Sequence, residues 1–289
     1  MHALIALLAL VAAAPALAHG GHVHADAPAG WTWDPWITLP LAATALLFAA
    51  GHRALAARSG RGAAALGRRA RLFAAGWLVL AAALVSPLHA AGERSFAAHM
   101  FEHELLMLVA APLLVMAEPL AVLLWAFPPA PRRAIGRAVS HPAVAAPWLW
   151  LTAPVAATLL QAAALWLWHA PALFDLALAS EGWHAAQHLS FLVTALLFWT
   201  AMLGHRHPAP VAMLCLIATS IVSGALGALM AFAESPWYAR YAALGLAPFG
   251  LTPVEDQQLA GLLMWVPGGL VHAGAALLVA RSFLKPGTA

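Results

Sequence analysis

The sequence predicts an all-α membrane protein: a bundle of seven transmembrane helices with its N-terminus outside and its C-terminus in the cytoplasm. Three observations predict it. Of 289 residues, 63% are hydrophobic and 9% charged, with a mean hydropathy of +0.83, whereas soluble domains carry about a quarter charged residues. Seven apolar runs approach the roughly 20 residues that carry a helix across a bilayer. The basic residues cluster on alternate linkers, which sets orientation.

Taken in order, residues 1–18, MHALIALLALVAAAPALA, read as a signal peptide ending in Ala16-Leu17-Ala18, a small-x-small cleavage pattern. Residues 19–35 then form a periplasmic leader that begins His19-Gly-Gly-His22-Val-His24. The transmembrane domain covers 36–285, with spans expected at 36–52, 72–89, 100–126, 143–168, 184–203, 211–233 and 259–281. The linker 53–71 holds Arg53, Arg58, Arg61, Arg68, Arg69 and Arg71, and the linker 127–142 holds Arg132, Arg133 and Arg137. With Arg206, Arg281 and Lys285 on the same side, 12 of the 14 Lys and Arg residues face the cytoplasm. This pattern belongs to a multi-pass membrane protein, whose surroundings are the lipid bilayer; its expected location is the bacterial inner membrane.

Pro112, Pro119, Pro154 and Pro267 fall inside expected spans and predict kinks. Ser223, Gly224 and Gly227 predict a close helix contact. The single cysteine, Cys215, excludes an intrachain disulfide and any Cys-x-x-Cys site. A Gly-rich phosphate loop is absent from the sequence, as is a basic aromatic face for nucleic acid, so neither class of partner is expected.

The histidines carry the functional signal. His99 and His103 enter the third span from outside, and His184 and His188 enter the fifth from the same side. His169 ends the fourth span and His89 the second, again outside. A separation of four residues puts two imidazoles on one helix face, with Cβ atoms about 6 Å apart. Ionisable groups inside spans are costly and mark function, and facing helices of a bundle build metal sites. The expected ligands are therefore His99, His103, His169, His184 and His188, with Met100, Met107 and Met264 as softer contributors. Imidazole combined with thioether selects copper, Cu(I) above all; imidazole alone would equally suit zinc. Glu102, Glu104 and Asp175 are expected to orient the rings.

Four ordered motifs, HMFEHELLMLVAAPLLVMAEPL, WLWHAPALFDLAL, WHAAQHLSFLVTALLFW and DQQLAGLLMWVPGG, extend the reading. Over roughly residues 36–285 the chain resembles the multi-span cytochrome c oxidase assembly factors of the membrane-integral CtaG type. The resemblance implies a role in maturing a respiratory haem–copper oxidase through copper supply. It implies an oxidase subunit as partner, with periplasmic copper chaperones as further partners, and a transient metal rather than catalysis. The motif residues that carry over are His99, His103, His169, His184, His188, Met264 and Trp265. The sequence departs from the expected pattern at Glu102 and Glu104, where amide or apolar residues are expected.

Two alternatives come from the same residues. His99-Met-Phe-Glu102-His103 matches H-x-x-E-H, in which two histidines bind zinc and the acid is a base, implying a membrane metallohydrolase. Opposed histidines such as His103 and His188 would instead ligate haem in an electron carrier.

Overall fold

The computed structural model describes residues 30–58, 60, 62–204 and 206–284. The expected signal peptide, most of the leader, Arg61, His205 and Lys285 lie outside the described residues. The described residues form helices and no strands. Five helices are long and apolar enough to cross a membrane: Pro35–Ala56, Phe96–Ala117, Glu181–Leu203, Ala209–Ala231 and Pro253–Arg281. A sixth span is made by Pro142–Leu151 and Pro154–Trp168 if the two are counted together across a 69° bend. The chain is thus a multi-pass membrane protein with five to six candidate spans, against seven expected.

The missing one has a physical cause. The helix α2, Ala63–Val85, has 23 residues and is about 34 Å long, enough to cross. Arg68, Arg69 and Arg71 lie near its start, however, and make that part a poor match to hydrocarbon. It also ends earlier than expected. Ser86 is extended, with ψ 170°, and the short helix α3, Pro87–Gly92, begins at the next residue, because a proline disfavours helical backbone in the residue before it. His89 therefore belongs to a separate element rather than to the end of a span.

Helix α1, Pro35–Ala56, packs on α2; Phe48 and Phe73 stack with ring centroids 3.8 Å apart. Next come α4, Phe96–Glu104, a π-helical turn at Leu105–Ala110, and α5, Ala111–Ala117. Pro112 explains the turn: in a regular helix its ring would clash with the carbonyl four residues back, and the wider turn relieves that. The span expected at 100–126 stops at Glu118, whose backbone is left-handed (φ 46°) just before Pro119 and the short helix α6, Pro119–Leu123. The Glu118 carboxylate pairs with Arg69 of α2.

An amphipathic helix, α7, Pro129–Ser140, leads to the bent pair α8, Pro142–Leu151, and α9, Pro154–Trp168. Then come α10, Pro171–Ala179; α11, Glu181–Leu203; α12, Ala209–Ala231; a short α13, Ala239–Ala243; and α14, Pro253–Leu284. Helices α12 and α14 meet backbone to backbone. A Cβ on Gly261 would lie 2.4 Å from the Gly227 carbonyl oxygen, so only glycine fits. This is the close contact that the small residues of the sixth apolar run predicted.

Candidate metal centre

The start of α4 is held from another helix. Asp256 of α14, 3% exposed, accepts from Ser95 Oγ at 2.8 Å, from the Phe96 N–H at 2.6 Å and from the Ala97 N–H at 3.4 Å. Ser95 Oγ in turn accepts from the Ala98 N–H at 3.2 Å. A buried carboxylate at a helix N-terminus satisfies orphan donors and complements the helix dipole. This anchor fixes the turn that carries His99 and, one turn later, His103. The aromatic rings of Phe96, Phe174 and Tyr238 pack over that end, with centroids 4.1 to 5.3 Å apart. Tyr238 donates to the His169 carbonyl at 3.0 Å, and Tyr241 to the Gly92 carbonyl at 2.5 Å.

Helix α11 supplies the facing pair. Ring centroids lie 4.3 Å apart for His99 and His103, 4.8 Å for His103 and His188, 4.4 Å for His184 and His188, and 5.2 Å for His99 and His184. One donor atom from each of His99, His103 and His188 lies within 4.8 Å of the other two. All three residues are buried. Both ring nitrogens of His99 and of His103, and Nε2 of His188, have no hydrogen-bonding partner among the described residues. The amide of the fully buried Gln187 lies against His99, too poorly aligned for a full hydrogen bond, and has no other partner among the described residues. A buried polar group without a partner costs about 1–3 kcal/mol. Several converging on one point are expensive unless something binds there.

His169 and Met100 sit beside this triad as a soft pair. His169 Nδ1 lies 2.7 Å from the Leu165 carbonyl, which can only accept, so Nδ1 carries the proton. Nε2 then presents a lone pair and lies 3.3 Å from Met100 Sδ, another lone-pair donor. With no hydrogen between them, the two atoms suit a shared soft cation. Burial lowers the His169 pKa to about 4, which keeps the ring neutral.

The other two methionines lie elsewhere. Met107 and Met264 line an inner cavity of about 30 Å³ together with Glu104, Gln161, Thr219 and His272. Met107 Sδ accepts from Gln161 Nε2 at 3.3 Å. His272 donates to the Gly268 carbonyl at 2.7 Å and stacks on Trp199.

His89, left out of the expected ligand set, joins the cluster. Its ring lies 5.4 Å from His184 and 5.7 Å from His188, and Nδ1 is 2.8 Å from Glu102 Oε1. Burial works against charging His89; the hydrogen bond and charge of Glu102, helped by Glu93 and Asp34, outweigh it and raise the pKa. Glu102 Oε1 is also 3.6 Å from His188 Nδ1, while Oε2 is buried with no partner among the described residues. His89, His184 and His188 open onto a cavity of about 1120 Å³ that also touches Asp34, Glu93 and Glu181.

A family model for cytochrome c oxidase caa3 assembly factors matches residues 46–285. The chain belongs to this family. No curated protein and no solved structure matches it. Within this assembly factor, the match covers every helix that carries a cluster histidine. Membership supports the oxidase side of the reading and says nothing of the metal. The geometry weighs against haem between His103 and His188: their rings touch edge to face at 89°, which leaves no slab for a macrocycle.

Proposed function

We propose that this assembly factor holds copper transiently in the imidazole pocket and releases it to a subunit of a cytochrome c oxidase. The observation that supports this most is the trio His99, His103 and His188, three neutral-ligand donors within 4.8 Å of one another at the buried end of two helices. Three imidazoles suit three-coordinate Cu(I), and the His169–Met100 pair adds a soft donor set beside them. His184 lies against both His99 and His188 and completes the wall. Incomplete coordination suits a donor, which must let its cargo go. The action is ligand exchange, with no bond of a substrate made or broken.

In this reading α2 crosses the bacterial inner membrane as a seventh span, with its arginines at the cytoplasmic surface. The histidine end then faces the periplasm, where copper chaperones and the oxidase subunit would dock. Residues 1–18 act as a cleaved signal, which puts the start of the mature chain on the periplasmic side. The test is complementation of a deletion strain. The double variant His103→Ala/His188→Ala should fail to restore oxidase activity unless copper is added in excess. Full restoration at ordinary copper would remove the site assignment.

A second reading uses the same triad. H-x-x-E-H with His188 as third ligand would hold zinc, and the unpartnered Glu102 Oε2 would be the base. Its discriminating variant is Glu102→Gln, which abolishes turnover in a hydrolase. In the copper reading the variant still restores oxidase activity when copper is supplied in excess.

A further inference from the structure

We infer that the pocket has a second, separate position for the cation, formed by His89, Glu102 and His188, which serves as its port of entry and exit. This rests on the copper reading and says how the buried triad is reached. Donor atoms of His89, Glu102 and His188 also lie within 4.8 Å of one another. They come from three elements, α3, α4 and α11. The two triads share His188 and nothing else. His188 Nδ1 is on the Glu102 side at 3.6 Å, and Nε2 is buried without a partner among the described residues.

The two positions differ in access. His89 and His188 line the large cavity, whereas His99 and His103 are not among the described residues that do. The His89 side chain keeps 15% of its surface exposed, and His99 and His103 are sealed at 0% and 1%. A cation coming from the cavity therefore meets His89 and His188 first, with the fully buried Glu102 carboxylate directly behind them, 2.8 Å from His89 Nδ1. It moves inward by exchanging ligands around the retained His188: bonds to His89 and Glu102 break as bonds to His99 and His103 form. The oxidation state does not change. The positions differ in chemistry as well. Two imidazoles and a carboxylate are a harder set than three imidazoles, so the port holds Cu(I) more weakly than the inner triad. Two cations this close would repel strongly in a buried setting, so one site is filled at a time and the stoichiometry stays at one.

The test measures both affinity and exchange rate, using full-length protein in lipid nanodiscs, Cu(I) as its acetonitrile complex and a colorimetric Cu(I) chelator as acceptor. His89→Gln and Glu102→Gln, on different helices, should each slow loading and release by about tenfold or more, beyond any loss of affinity. His103→Ala should instead lower affinity by about a hundredfold. Exchange at the wild-type rate in both Gln variants would overturn the port. So would a loss of affinity in them as large as that of His103→Ala, because the two triads would then be one site. Wild-type protein that takes up no Cu(I) would defeat the copper reading itself, and the port with it.

Discussion

The indole of Trp199 donates its N–H to the carbonyl of Met107 at 2.7 Å. This bond closes the account of the π-helical turn. Within that turn the Ala111 N–H reaches back five residues to the Leu106 carbonyl. The Met107 carbonyl should likewise pair with residue 112, but Pro112 has no N–H. Trp199 of α11 fills the gap, and so ties the helix of His99 and His103 to that of His184 and His188.

Trp199→Phe should therefore cost more than a surface substitution. It leaves a buried carbonyl without a partner, worth about 1–3 kcal/mol, and lowers the midpoint of thermal unfolding in detergent. In a Pro112→Ala background the loss should shrink, because residue 112 regains an N–H. A double-mutant cycle with additive terms would refute the assignment.

Asp256→Ala should loosen the first turn of α4. Three donors lose their acceptor, and a helix cap alone is worth about 0.5–2 kcal/mol. Hydrogen exchange at residues 95–98 should rise while exchange in α12 stays near wild type. Asp256→Asn keeps one acceptor oxygen and should fall between the two.

Gly261→Ala should push α12 and α14 apart, since the added Cβ meets the Gly227 carbonyl oxygen at 2.4 Å. Overpacking of this kind costs about 1–3 kcal/mol. Thermal unfolding reads it directly, and an unchanged midpoint would mean the helices are not packed this closely.

Acid should destabilise the copper-free protein partly through His169. Its pKa is about 4 in the fold against the usual 6.5, so the unfolded chain binds the proton first. The stability that this neutral ring contributes is whole above pH 6.5 and is lost as pH falls towards 4. Unfolding midpoints between those values should drop less steeply in His169→Gln than in wild type.

Much of this was legible in the sequence, and the pairs at four-residue spacing most of all. Helical periodicity alone puts His99 with His103 and His184 with His188, and the apolar runs bring both pairs to one end. His89 was harder to place. Its run reads as one span to residue 89, and only the break at Ser86 and Pro87 moves it onto a short helix that turns towards Glu102. Asp256 lies about 160 residues from the turn it caps, and no local pattern announces such a bond. Met107 and Met264 were assigned by depth along their helices. For Met107 the π-helical turn, which starts directly after Glu104, shifts facing directions away from simple 3.6-residue spacing; Met264 lies on α14, and depth along a helix does not say which way a side chain faces. The count of spans differed because a helix with three arginines near its start is long enough to cross while its composition argues otherwise.

Copper analysis of the purified, full-length protein tests the central claim most directly. After loading with Cu(I) and desalting, wild type should retain about one copper per chain, and His103→Ala/His188→Ala less than about a tenth of that, since removing ligands removes the site. Equal copper in the two proteins would contradict the account.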